Sequence, residues 1–154
     1  MTTGTGAAAG SGALPRSGCL LAIDPGAKRI GLALSDTDQR LAHPLGTLTR
    51  RAGKRFPLAG LRPHLDTHEP TGILIGLPLT PEGKEDERAH AARSDGARIA
   101  EKTGLPVAYW DERMTTARAL RAVQDLGGGL RDRKGDVDPL AATTLLQSYL
   151  DSRR

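Results

Sequence analysis

The chain has 154 residues, with 22 Lys and Arg against 18 Asp and Glu for a net charge of +4, and a single cysteine. That length suits one domain able to bury about two-thirds of the surface its unfolded form exposes. The lone cysteine excludes an internal disulfide and no apolar run is long enough to cross a bilayer, so a cytoplasmic protein with no membrane partner is expected.

Residues 1–18 are rich in Gly, Ala, Ser and Thr and lack the charged start and apolar run of a signal peptide, so they read as a disordered tail. Residues 19–154 read as a single domain. Strand-like stretches cover Cys19 to Asp24, Ile30 to Ser35 and Ala42 to Thr49, the first two joined by a Pro25-Gly26 turn as an antiparallel hairpin requires. A helix is expected from Pro57 to His68, with Pro63 as a kink or break. A strand from Gly72 to Gly76 follows, then a helix marked by Ala89, Ala92, Gly96, Ile99 and Ala100 that should stop at Gly104. A fifth strand, Leu105 to Trp110, precedes helices from Thr115 to Leu126 and from Pro139 to Asp151. A three-strand meander followed by alternating helix and strand implies an α/β fold, a mixed five-stranded sheet with flanking helices.

Acids end several of these segments. Asp24 closes the first strand, and a carboxylate there needs either a cation or a turn to cap, because an unpaired buried charge is costly. Asp111 and Glu112 end the fifth strand, and since neighbouring strand residues face opposite ways, only one of them should enter a shared site. Asp138 before Pro139 is a natural helix N-cap. Asp24, Glu112 and Asp138 are far apart in the chain, so only a fold could gather them. Other pairings are poorer: His64 and His68 share a helix face, but no third ligand is evident.

The positive charge is uneven. From Arg40 to Leu65 the chain carries Arg40, Arg50, Arg51, Lys54, Arg55 and Arg62 and no acid, a composition that favours a polyanion or simply solubility. Lys28 and Arg29 lie just past the first turn. Only Phe56, Tyr109, Trp110 and Tyr149 are aromatic, so nucleic-acid recognition should run through backbone and shape more than base stacking. The connector Gly127 to Gly135 combines three glycines with Arg131, Arg133 and Lys134 and reads either as a linker or as a lid over a phosphate backbone.

Four blocks occur in order: Asp24-Pro25-Gly26-Ala27-Lys28-Arg29-Ile30-Gly31, Gly76-Leu77-Pro78-Leu79, Asp111-Glu112-Arg113-Met114-Thr115-Thr116, and Lys134-Gly135 followed by Val137-Asp138. With these the chain resembles the YqgF/RuvX family, described as Holliday-junction resolvases and as nucleases of pre-16S rRNA 5′-end maturation. Thr80 and Asp136 depart from the family's usual residues at their positions.

The resemblance implies a ribonuclease H-like fold and a metal-dependent nuclease. Asp24, Glu112 and Asp138 would be both catalytic residues and ligands of two Mg²⁺ or Mn²⁺ ions, Asp24 bridging them, a donor set of oxygens that suits these metals. Lys28, Arg29, Arg51, Arg55, Arg113 and Lys134 would bind nucleic acid, either structured or precursor RNA or branched DNA. Symmetric junction cutting would call for a homodimer. Two other readings stay open: a non-catalytic RNA-binding or ribosome-associated factor, and an actin-like phosphate-handling ATPase, for whose duplicated domain the chain has no room.

Overall fold

In a computed structural model of the protein the described residues are 14–51, 55–115 and 137–154, with the side chains of the last segment described from Pro139 onward. The expected helix from Thr115 to Leu126 and the Gly127–Gly135 connector, with Lys134, lie outside the described residues.

Five strands form one sheet: β1 (Leu20–Pro25), β2 (Arg29–Ser35), β3 (Ala42–Thr49), β4 (Gly72–Leu77) and β5 (Val107–Asp111), in the spatial order β3-β2-β1-β4-β5. β1 pairs antiparallel with β2, and β2 antiparallel with β3 through a bulge between Leu32 and Ala33. β4 lies parallel to β1 and β5 parallel to β4. The central strands are apolar on both faces, as a strand covered on each side must be. Leu21, Ile23, Ile73, Ile75 and Val107 bury against one layer of helices, while Leu20, Ala22, Leu74 and Ala108 bury against the other.

The first layer holds α1 (Leu58–His68) and α2 (Glu87–Thr103). Asp86 caps α2 by accepting hydrogen bonds from the Arg88 and Ala89 amides, and Gly104 closes it at φ 74°. Pro63 does not break α1, which runs through it. Pro63 and Ala59, whose carbonyl loses its donor there, both lie on the exposed side, so water can satisfy that carbonyl.

The second layer is α3 (Val137–Ser152), whose Ala142, Leu145, Leu146, Tyr149 and Leu150 are all buried against the sheet. Cys19 is a small core residue, its thiol donating to the His68 carbonyl at 3.3 Å. Among the described residues no helix is long and apolar enough to cross a membrane.

Candidate active site

Alternation along the strands puts Asp24 in line with Ala22, and Gly76 in line with Leu74, on the face that α3 covers. Because β1, β4 and β5 are parallel, their carboxyl ends share one edge of the sheet, and this is where parallel sheets place their binding crevices. A cleft of about 510 Å³ opens there, lined among others by Asp24, Pro25, Gly26, Pro78, Arg88 and Glu112.

Of the two acids ending β5, one enters the cleft. Asp111 accepts from the Arg113 amide at 2.8 Å and from its guanidinium at 2.7 and 3.1 Å, and this pairing holds its carboxyl below the usual range. Glu112, the first residue of a 3-10 turn (Glu112–Met114), instead reaches the Asp24 carboxylate. Burial, and after it the hydrogen bond and repulsion from Asp24, raise Glu112 to about 7, with the Arg88 guanidinium working in the opposite direction.

The position of Glu112 is over-determined. Trp110, two residues before it, packs edge-on against Tyr149 with ring centroids 5.3 Å apart, and its indole N–H donates to the Ser148 hydroxyl at 3.4 Å. Ser148 in turn donates to the Met114 carbonyl at 2.8 Å, so α3 grips the chain on both sides of Glu112. Gly76 makes the room. A Cβ there would stand 2.8 Å from Glu112 Oε2, closer than side-chain carbons approach, and in a tight 3.1 Å contact with Leu145 Cδ2.

The other acid is braced through its hairpin. Arg50, at the end of β3, donates through Nε to the Gly26 carbonyl at 3.2 Å and through its two Nη atoms to Asp95 of α2 at 2.8 and 3.4 Å. The Arg50 amide donates to the Lys28 carbonyl at 2.7 Å. Gly26 is needed in this turn because a Cβ would collide with the Arg29 carbonyl oxygen. Asp95, Arg88 and the spatial role of Gly76 were missed in the sequence, which offered Arg50 only as part of the basic run and not as a brace. Only Gly76 carries a local signal, as the first residue of Gly-Leu-Pro-Leu.

Asp24 and Glu112 are therefore brought together; Asp138 falls in the first turn of α3, its side chain outside the description. Lys28 and Arg29 are exposed beside the cleft, and Arg51 and Arg55 are exposed on the segment after β3. Arg113 is engaged with Asp111 and donates to the Pro81 carbonyl at 3.3 Å. Among the described residues no group of three or more His, Cys, Asp or Glu side chains is gathered.

Comparison with known proteins follows the same lines. The chain is 42% identical over 139 residues to a protein of Acidiphilium cryptum named "Putative pre-16S rRNA nuclease", covering 90% of this chain and 87% of that one. It is 38% identical over 135 residues to a Lactococcus lactis subsp. cremoris protein of the same name, covering 86% and 94%. Among solved structures, Thermus thermophilus RuvC superposes with a TM-score of 0.60 at 14% identity over 88% of this chain and 95% of that one, and RuvC in complex with a Holliday junction substrate with 0.57. Those structures share the ribonuclease H-like fold. The family model described as "RuvX: Holliday junction resolvase" matches residues 18–152, and the chain belongs to that family.

Proposed function

We propose that this protein is a divalent-metal-dependent nuclease that hydrolyses phosphodiester bonds in the 5′-end processing of pre-16S rRNA. The observation that carries it is the convergence of Asp24 and Glu112 at the carboxyl ends of β1 and β5. Burial, and after it the nearness of Asp24, push the Glu112 carboxyl up to about 7, so the pair forms a site that a cation would relieve, and its oxygens suit Mg²⁺ or Mn²⁺. The residues present thus fit the metal. Asp24 and Glu112 would hold it, joined by Asp138, the third acid that the family resemblance implies.

A bound ion supplies Lewis acidity and lowers the pKa of an attacking water. The chain's own residues do the rest. Gly76 leaves space for the Glu112 carboxylate, Trp110 and Ser148 fix its approach, and Arg50 fixes the turn that follows Asp24. The Arg88 guanidinium, close enough to stabilise the Glu112 anion, is available to a phosphate oxygen in the same cleft.

The names of the relatives favour precursor rRNA, whereas the description of the family model favours branched DNA. Cleavage of a precursor RNA, a single strand and a four-way junction in parallel, with Mn²⁺ and with chelator, separates these. We expect the precursor RNA to be cut, cleavage to need the ion, and Asp24→Asn and Glu112→Gln to abolish it with folding kept. Preferential cutting of the junction would make the protein a resolvase. Ion-independent cleavage, or binding without cleavage of any substrate, would overturn the proposal.

A further inference from the structure

We infer that a second groove, lying beyond the Arg50–Asp95 pair, is a phosphate subsite that grips the nucleic-acid strand away from the bond being cut, with Arg98 and Arg55 as its anion contacts. This rests on the reading of the acid pair as a nuclease site.

The groove, of about 690 Å³, lies between α2 and the segment after β3, and Arg50 and Asp95 line both it and the cleft that holds Asp24 and Glu112. The two depressions are neighbours along one surface. The divider is electrically quiet, because the Arg50 and Asp95 side chains, 12% and 13% exposed, satisfy each other.

Beyond the divider the cations are differently placed. Ser94 and Arg98 stand one turn apart on α2, with the acid Glu101 further along the same helix, and Arg55 lines the groove from the segment after β3. Arg98 Nε is shut off from water and has no hydrogen-bond partner among the described residues. A guanidinium stays charged at any ordinary pH, and a buried donor on it left without an acceptor costs free energy. Nε itself is sealed from the groove, so a phosphate there would meet Arg98 through the part of its guanidinium that lines the groove, with charge-assisted N–H bonds. Arg55 is exposed and appears in no ion pair among the described residues. Small side chains at Ala91, Ser94 and Ala97 keep the α2 wall low, so that a sugar-phosphate backbone can approach it.

The test is binding of a labelled single-stranded oligoribonucleotide to the full chain in chelator, followed by fluorescence anisotropy across a salt series. Arg98→Met keeps the aliphatic stem and removes the charge, and because Nε is a buried donor without a partner among the described residues its loss should not lower the melting temperature. Arg98→Met and Arg55→Ala should each flatten the salt dependence by about 0.7, the value of one contact to a single strand. Each should also weaken binding by about tenfold, the scale of one charge-assisted pair. Arg154→Ala removes the same charge at the far end of α3 and should change neither quantity.

An unchanged slope in Arg98→Met, or an equal loss in Arg154→Ala, would overturn the subsite. Cleavage by the unmodified chain with Mn²⁺ is scored separately. Cutting with unaltered slopes removes the subsite alone, and flattened slopes without cutting remove the nuclease reading alone.

Discussion

At the scale of single residues, the proton on Glu112 has a thermodynamic signature. Its carboxyl is raised from 4.5 to about 7, so between those values the metal-free folded state holds a proton that the unfolded chain has released. Stability therefore falls as pH rises through that window, the reverse of an ordinary salt-bridged acid. We expect the melting temperature of metal-free protein to drop between about pH 5 and about pH 7.5, and Glu112→Gln to lose much of that drop. Saturating Mn²⁺ should raise the melting temperature more at the upper pH, since a cation takes the place of the proton.

Gly76→Ala makes a complementary case. Its Cβ would displace the Glu112 carboxylate while leaving the strand apolar, so on the proposed role of Glu112 cleavage should fall by about 10²-fold or more with a modest change in stability. Strand alternation suggests that at most one of Asp111 and Glu112 enters a shared site, but β5 ends at Asp111 and Glu112 opens a 3-10 turn, so alternation is not what separates them. That it is Glu112 rested on the resemblance, and the local hold of Arg113 on Asp111 is the physical reason.

Among the elements, α2 is tied to the β1–β2 hairpin by the Arg50–Asp95 pair, whose two residues no sequence pattern links. Breaking a pair this buried leaves a charge behind. Asp95→Ala should therefore cost about 3 kcal/mol in a denaturant titration, at the low end for such pairs because some water reaches it. Cleavage should suffer as well, because Arg50 also holds the Gly26 carbonyl beside Asp24.

The strands were legible to within a residue or two because each is short, apolar and bounded by turn residues. β3 matched at both ends, while β5 begins at Val107, after Pro106. Pro63 misled because its effect depends on which side of the helix is wet, and a sequence does not print that.

For the molecule as a whole, one helix among the described residues packs on the second face of the sheet. Among the described residues α3, with Leu14 at one margin, covers Leu20, Ala22, Leu74 and Ala108, and its Leu146 is fully buried. Leu146→Ala should destabilise the protein by about 3 kcal/mol in urea unfolding, the usual range for a buried leucine that leaves a cavity. The same substitution should weaken the hold on Glu112, since Ser148 and Tyr149 ride on that helix. The mixed sheet and the buried stripe of α3 could be read from periodicity, but the meeting of Asp24 with Glu112 could not. It exists only once β4 has been inserted between their strands.

Trp110 is the sole tryptophan of the chain, set edge-on to Tyr149 and two residues from Glu112. The protein thus carries its own optical reporter at the point where the last helix meets the candidate site. Excitation of the indole follows the docking of α3 and the integrity of the acid pair in one signal. Its emission during denaturation should lose native character at the same denaturant concentration as cleavage is lost, with no label attached.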